Sequence, residues 1–165
     1  MNTPAPSPTP APAGSPETVL GQLGIELPPP NPAVAAYIPT RRVGSLLWVS
    51  GQLPMRQGQL THTGRVGEGV SAEDAKAAAR QAAVGVLAAI KAATGSLDSV
   101  RQFVRVGVWV ACDGAFTQHS QVANGASDLL VQVFGEAGRH ARAAVGAPSL
   151  PLGAPVEVEA LVELR

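Results

Sequence analysis

The chain has 165 residues, a formal net charge of zero at pH 7 and only 15% charged side chains. That length suffices for one domain with a substantial buried core. Zero net charge disfavours a nucleic-acid partner, because neutralising phosphates supplies most of the affinity for polyanions. A single cysteine, Cys112, excludes a disulfide framework and a multi-cysteine metal site. No apolar run reaches the roughly 18 residues that a membrane span needs.

The first part of the chain differs in composition from the rest. Residues 1–16 are rich in proline and alanine and lack the basic start and apolar stretch of a secretory signal. We therefore predict a disordered tail and a cytoplasmic protein. Residues 17–32 predict a short helix and a proline-rich connector. A single folded domain is then expected over residues 33–165.

The folded domain is predicted to begin with two strands, over 37–43 and 46–50, with Gly44-Ser45 as the turn between them. A polar, glycine-rich loop with at most one short strand follows over 52–68. A helix is predicted over 72–93, because Ser71 supplies a capping hydroxyl and the apolar residues recur at helical spacing.

The second half of the chain continues with a strand, a helix and two strands. Residues 100–112 predict an apolar strand, with valines on one face and Phe103 and Trp109 on the other. A helix over 120–136 and strands over 142–146 and 155–164 complete the order. Two helices cannot cover both faces of such a sheet. We therefore expect an α+β fold with a mixed sheet, both helices on one face, and a second copy of the chain on the other.

Two groups of residues resemble motifs of the RidA/YjgF family. The first group is Tyr37 followed by Ser50-Gly51-Gln52-Leu53-Pro54, and the second is Arg142, Leu150-Pro151 and Val156-Glu157-Val158-Glu159-Ala160. The resemblance covers residues 33–164 and implies a chorismate-mutase-like single domain that forms homotrimers with sites between subunits. Longer loops than in the archetype, and Ala144 in place of its cysteine, mark a divergent branch.

The same resemblance implies an activity, the hydrolytic deamination of reactive 2-imino and 2-enamino acids to 2-oxo acids and ammonia. Arg142 would hold the carboxylate of the substrate, because a planar guanidinium can bind it through two hydrogen bonds. Glu157 would position and activate water. Tyr37, Ser50, Gly51 and Asn124 would contact the substrate. No metal or organic cofactor is implied, since an imine carbon is already electrophilic.

Other interpretations of these residues stay open at this point. Arg142 could pair with an acid on the sheet, and Glu157 could belong to a solvated row of alternating acids. The protein could instead bind or cleave RNA, as an endoribonuclease of the same fold, or bind small carboxylates without turnover. The three histidines lack metal-binding spacing, so we expect solvated surface positions, with His140 the one that borders the site. Cys112 is expected to be a buried, inert thiol.

Overall fold

The structure, a computed structural model, describes residues 14–29 and 36–165. Most of the predicted tail (residues 1–13), the end of the connector (residues 30–32) and the first three residues of the predicted domain (33–35) lie outside the described residues. In the described part, the helices and strands follow one another as α1 (Pro16–Gln22), β1 (Thr40–Val43), β2 (Leu46–Gln52), β3 (Met55–Arg56), β4 (Gln59–Leu60), β5 (Arg65–Val66), β6 (Gly69–Val70), α2 (Ala72–Thr94), β7 (Val100–Ala111), α3 (His119–Phe134), β8 (Ala141–Ala147) and β9 (Val156–Leu164).

The central sheet has five strands in the order β1-β2-β9-β7-β8. Its neighbouring strands are antiparallel except for β7 and β8, which are parallel and joined through α3. The predicted mixed sheet is therefore confirmed. Strand β9, the last in the chain, lies at the centre of the sheet, and β1 and β8 form its two edges.

The helices α2 and α3 lie side by side on one face of the sheet, as predicted. The Ser71 side chain accepts a hydrogen bond from the Asp74 amide and begins α2, and Gly95, with φ 84°, ends it. Small side chains let the two helices approach closely, so that a Cβ added at Gly125 would lie 1.9 Å from the carbonyl oxygen of Lys76. Among the helices of residues 14–29 and 36–165, none is long and apolar enough to cross a bilayer.

Helix α1 is attached to the body of the domain. Ser15 caps it, and Val19 and Leu20 are buried in the common core. The Glu17 carboxylate reaches the turn that precedes β7, where Oε1 accepts a hydrogen bond of 2.9 Å from the Leu97 amide. The predicted short helix therefore forms and packs as part of the folded unit.

The loop between β2 and α2 contains more regular structure than expected. Strands β3 and β4 pair as a small antiparallel hairpin, and β5 and β6 pair in parallel. Arg65 ties this loop to the end of β7, because its Nη2 donates a hydrogen bond of 2.9 Å to the Cys112 carbonyl. The loop is thus held against the sheet beside the carboxyl end of β7.

In the first half of β7, the side chains do not alternate between the two faces of the sheet as predicted. The register against β9 shifts between Val100 and Gln102 and again between Phe103 and Arg105, and each bulge changes which side chains point inward. Phe103 is consequently buried at 2% exposure and packs edge-on against Phe134 under the helices. The open face, which no described helix covers, instead exposes Trp48 (45%) and Trp109 (40%).

Candidate functional site

The predicted site residues fall into two groups on opposite faces of the sheet. Arg142 on β8 is the register partner of Val106, a core residue, and its side chain points toward α3. Glu157 on β9 is the register partner of Trp109 and lies on the open face, between the buried residues Val156 and Val158. Because side chains alternate between the faces of a strand, Arg142 and Glu157 of one chain face different sides of the sheet.

The first group is built by α3 around Arg142. Its Nη1 donates hydrogen bonds to Asn124 Oδ1 at 2.9 Å and to Ser127 Oγ at 3.0 Å, and its Nη2 donates a longer one of 3.4 Å to the Ser120 carbonyl. The sequence predicted Asn124 at this site, and the structure brings it into contact with Arg142. No described residue accepts from Nε, so the edge of the guanidinium formed by Nε and Nη2 remains available to an anion.

His140 forms the outer part of the first group. Its Nε2 lies 3.0 Å from Ser127 Oγ, and its Nδ1 lies 2.6 Å from the Gly138 carbonyl oxygen. Burial lowers the pKa of His140 below its ordinary value; the nearby Arg142 charge lowers it further, and the bond to Gly138 opposes both. The expectation of a solvated histidine is therefore wrong at this position. His140 contacts Ser127, which in turn contacts Arg142.

The second group is centred on Glu157. Its carboxylate accepts no hydrogen bond from any residue in the described ranges, whereas Glu159 pairs with Arg105 at 2.8 Å and Glu163 with Arg101 at 3.4 Å. Burial raises the pKa of Glu157 above its ordinary value, and the charge of Glu159 raises it further. The row of alternating acids thus holds two paired carboxylates and one, Glu157, that is partly desolvated and unpaired.

Gly51 provides the space in which the Glu157 side chain lies. The pairing of β2 with β9 shifts register between Val49 and Gln52, and this irregularity brings the Gly51 backbone against Glu157. A Cβ added at Gly51 would lie 1.7 Å from Glu157 Oε1 and 2.7 Å from its Cδ. The glycine of the Ser50-Gly51 motif therefore leaves the room in which the Glu157 carboxylate lies, and a side chain there would displace that carboxylate.

Ser50 hydrogen-bonds to the two residues that follow Tyr37 in the chain. The Ser50 hydroxyl donates a hydrogen bond of 2.8 Å to the Ile38 carbonyl, and its amide donates one of 2.9 Å to the Pro39 carbonyl. Ser50 thereby fixes the segment that carries Tyr37, which is 52% exposed. The proton of the Ser50 hydroxyl is engaged, so its oxygen remains as an acceptor.

Two residues of the first group were missed from the sequence. Ser127 and the backbone of Ser120 contact Arg142, yet neither belongs to a motif that resembles the family's. The signal for Ser127 is its spacing, since residues three apart on a helix share a face and Asn124 precedes it by that interval.

The remaining reactive side chains do not form a metal centre. Among residues 14–29 and 36–165, no group of three His, Cys, Asp or Glu residues could hold a metal ion. Cys112 is buried, with its Sγ 3.4 Å from His119 Nε2, and burial raises the pKa of its thiol. The thiol is thus held in its neutral form, as expected for an inert cysteine.

The chain forms a single α+β domain, and the two groups of candidate site residues lie on opposite faces of its sheet. The family model described as "YjgF/chorismate_mutase-like, putative endoribonuclease" matches residues 17–164. The chain therefore belongs to the YjgF/chorismate-mutase-like family, and the resemblance found in the sequence is confirmed.

Three relatives are similar over most of their length. Protein TCP17 of Trypanosoma cruzi is 47% identical over 147 residues, which cover 88% of this chain and 92% of that protein. The crystal structure of Atu1372 from Agrobacterium tumefaciens, a protein of unknown function, is 45% identical with a TM-score of 0.84, covering 90% of this chain and 91% of that one. A "putative endoribonuclease" from Shewanella oneidensis is 36% identical with a TM-score of 0.89, covering 92% and 100%.

Proposed function

We propose that this protein is a homotrimeric hydrolase that deaminates reactive 2-imino and 2-enamino acids to 2-oxo acids and ammonia. The observation that carries the proposal is the placement of Arg142 and Glu157 on opposite faces of one sheet. Each residue is suited to the reaction, one as an anchor for the carboxylate and the other as a base. A substrate can touch both only where two chains meet, so the site is completed between subunits.

Arg142 binds the carboxylate of the substrate. Its Nη1 is occupied by Asn124 and Ser127, and the free edge of Nε and Nη2 has the spacing of the two oxygens of a carboxylate. A bidentate contact of this kind fixes the plane of the carboxylate and hence the direction of the adjoining C2 atom. The substrate class is therefore a small acid with its reactive carbon next to the carboxylate.

Glu157 moves the protons of the reaction. A 2-enamino acid first tautomerises to the imine by moving a proton from its nitrogen to C3. As water then adds to C2, Glu157 accepts a proton from the water and passes it to the imine nitrogen, which gives a carbinolamine. Transfer of the hydroxyl proton to the same nitrogen then breaks the C–N bond and releases ammonia and the 2-oxo acid. The raised pKa of Glu157 favours this role, because a group that accepts and returns protons works best with a pKa near the operating pH.

The open face of the sheet supports the trimer. Trp48, Trp109, Val43 and Val145 are exposed there, on the same face as Glu157. Exposed tryptophans on the uncovered face of a sheet are typical of surfaces that bind another chain. Light scattering at micromolar concentration is expected to give the mass of three chains, and a monomeric mass would contradict the site between subunits.

The activity is tested with 2-aminoacrylate, generated in situ from serine by a PLP-dependent dehydratase. The wild type is expected to accelerate its loss, and Arg142→Ala to lower kcat/KM about 100-fold, because the carboxylate loses its bidentate partner. Arg142→Lys keeps the charge without the planar fork, so an intermediate loss of roughly tenfold is expected. Arg80→Ala is the matched control: it also removes an arginine bound to an amide oxygen, that of Gln132 at 3.1 Å, but this contact joins α2 to α3 and involves neither Arg142 nor Glu157.

Complementation between variants tests where the site lies. Arg142→Ala and Glu157→Gln are each expected to be inactive, and random reassembly of equal amounts should restore about a quarter of the sites when the two residues come from different chains. Complementation absent from mixed trimers of verified composition would place both residues of a site in the same chain and contradict the proposal.

The other two functions left open by the sequence give different results. An RNA-cleaving trimer would cleave RNA in the Arg142→Ala variant and lose RNA binding steeply with added salt. A carboxylate-binding module would bind 2-oxo acids saturably and leave the rate of aminoacrylate loss unchanged. Failure of the wild type to accelerate that loss would remove this imine as a substrate and leave the family assignment intact.

A further inference from the structure

The hydrogen bonds around His140 fix which of its nitrogens carries the proton. The Gly138 carbonyl can only accept, so the Nδ1 atom 2.6 Å from it must donate. In the neutral ring, Nε2 is then an acceptor, and the Ser127 hydroxyl 3.0 Å away must donate to it. The Gly138 carbonyl thus sets the direction of the Ser127 O–H bond through the His140 ring that lies between them.

The same hydroxyl sets the orientation of the Arg142 guanidinium. With its proton directed at His140, the Ser127 oxygen presents its lone pairs to Arg142 Nη1 at 3.0 Å. The other N–H of Nη1 donates to Asn124 Oδ1 at 2.9 Å. Both donors of Nη1 are then engaged, and one N–H of Nη2 points to the Ser120 carbonyl at 3.4 Å. The guanidinium therefore cannot rotate freely about its last bonds, and its Nε–H and the second N–H of Nη2 are left for a carboxylate.

We propose that His140 is a positioning residue of the site: through Ser127 it holds Arg142 with the Nε and Nη2 edge presented to the carboxylate of the substrate. The proposal rests on the proposed function, in which Arg142 binds that carboxylate. His140 does not touch the substrate. It acts by fixing the orientation of the Arg142 guanidinium. Replacement of His140 therefore weakens carboxylate binding more than it slows the chemical step.

Protonation of His140 should weaken the same arrangement. A proton on Nε2 turns it from acceptor to donor, so the Ser127 hydroxyl loses its acceptor and an imidazolium faces the guanidinium. The groups packed on the ring are Ser127 from α3, the Gly138 carbonyl from the turn before β8, and Arg142, the charged residue that acts on it. The neighbouring Arg139 pairs with Glu136 at 3.0 Å. Carboxylate affinity is thus expected to fall as the pH drops through the pKa of His140.

The test measures binding of 2-oxobutanoate, a stable acid of the product class, by calorimetry at pH 7.5 and pH 5.5. His140→Phe removes the acceptor of the Ser127 hydroxyl, and Ser127→Ala removes the hydroxyl itself. Each is expected to weaken binding about tenfold at pH 7.5.

His140→Gln places an amide oxygen near the position of Nε2 and cannot titrate. It should bind within about threefold of the wild type at pH 7.5 and lose the extra weakening at pH 5.5. His62→Phe, at a half-buried histidine in the loop before α2, is the matched control.

Comparing Arg142→Ala with the His140 and Ser127 variants shows whether a failure concerns this inference or the proposed function. No binding by the wild type, or equal binding by the wild type and Arg142→Ala, overturns the role of Arg142 and the inference with it. Loss of binding in Arg142→Ala together with wild-type affinity in both His140→Phe and Ser127→Ala overturns the inference alone. The kinetic readout is KM, expected to rise about tenfold with kcat changed less than about twofold in His140→Phe and Ser127→Ala.

Discussion

The two faces of the central sheet differ in how far one chain completes them. On the face toward the helices, α2 and α3 bury an apolar core, and α3 supplies every hydrogen-bond partner recorded for Arg142. On the open face, two tryptophans are exposed and the Glu157 carboxylate has no partner among the described residues. The difference teaches that one chain completes the surroundings of Arg142 but not those of Glu157. In the proposed function, a second chain encloses Glu157.

The closest approach of a glycine to another segment's backbone lies on the helix face, so the largest loss of stability is expected there. Gly125→Ala places a Cβ 1.9 Å from the Lys76 carbonyl oxygen, and since the obstacle is backbone, α2 and α3 must separate. We expect a loss of about 3 kcal/mol in the free energy of unfolding, measured by chemical denaturation. Gly107→Ala on the open face meets first the Glu159 side chain, which can move, and should cost less than about 1 kcal/mol. Equal losses for both variants would contradict the contrast between the faces.

The second prediction concerns a substitution that displaces the Glu157 carboxylate without unfolding the chain. Gly51→Ala forces the Glu157 carboxylate aside, because the added Cβ would occupy the position of Oε1. Imine hydrolysis is expected to fall between about tenfold and 100-fold, with the denaturation midpoint nearly unchanged. Gly107→Ala is again the matched control, since it displaces the Glu159 side chain in the same way. A similar loss of activity in that variant would contradict the proposed role of Glu157 in proton transfer.

The third prediction concerns association through the open face. Trp109→Ser is expected to weaken association by about 2 kcal/mol, a roughly 30-fold rise in the dissociation constant, because a central tryptophan is a typical hot spot. Sedimentation equilibrium measures the change. Leu23→Ser is matched in exposure, as both side chains are 40% exposed, but Leu23 lies at the end of α1, away from the open face of the sheet. It should leave the mass unchanged, and dissociation by this variant alone would place the interface elsewhere.

The smallest effect is on the pH dependence of stability. The folded pKa of Glu157 is raised above its unfolded value, so the folded chain holds this proton more tightly. The free energy of unfolding therefore decreases as the pH rises from the unfolded pKa through the folded pKa, and remains lower at neutral pH. Glu157→Gln removes this decrease, and Tm should rise by about 1–2 °C at pH 7.5 with no gain at pH 3.5. Glu163→Gln, from the same strand and face, is expected to show no such gain.

Most of the fold could be predicted from the sequence, because the apolar residues of each element recur with a clear period. The two helices and the long strands appear close to the predicted ranges, and helix α2 begins at the predicted cap, Ser71. The face of Phe103 could not be predicted this way. Two bulges in β7 break the alternation, and a bulge depends on the pairing with β9 rather than on local composition.

The candidate site could be predicted only where its residues fall within motifs. Gly51 and Glu157 belong to separate motifs, and the structure brings them into contact, while Arg142 and Asn124 meet between β8 and α3. Ser127 and His140 lie on different elements, and nothing in the sequence joins them. Their contact arises because the turn after α3 brings the chain back against the same helix before β8 begins. Such a juxtaposition requires the tertiary structure.

The central position of β9 has a consequence for synthesis. A ribosome delivers β1, β2, β7 and β8 first, but β2 and β7 can be joined into one sheet only when the C-terminal strand is inserted between them. Until then both strands present unpaired edges beside exposed apolar residues, a state prone to aggregation. Folding of the whole domain therefore waits until β9 has left the ribosome, and removal of β9 would divide the sheet rather than shorten it.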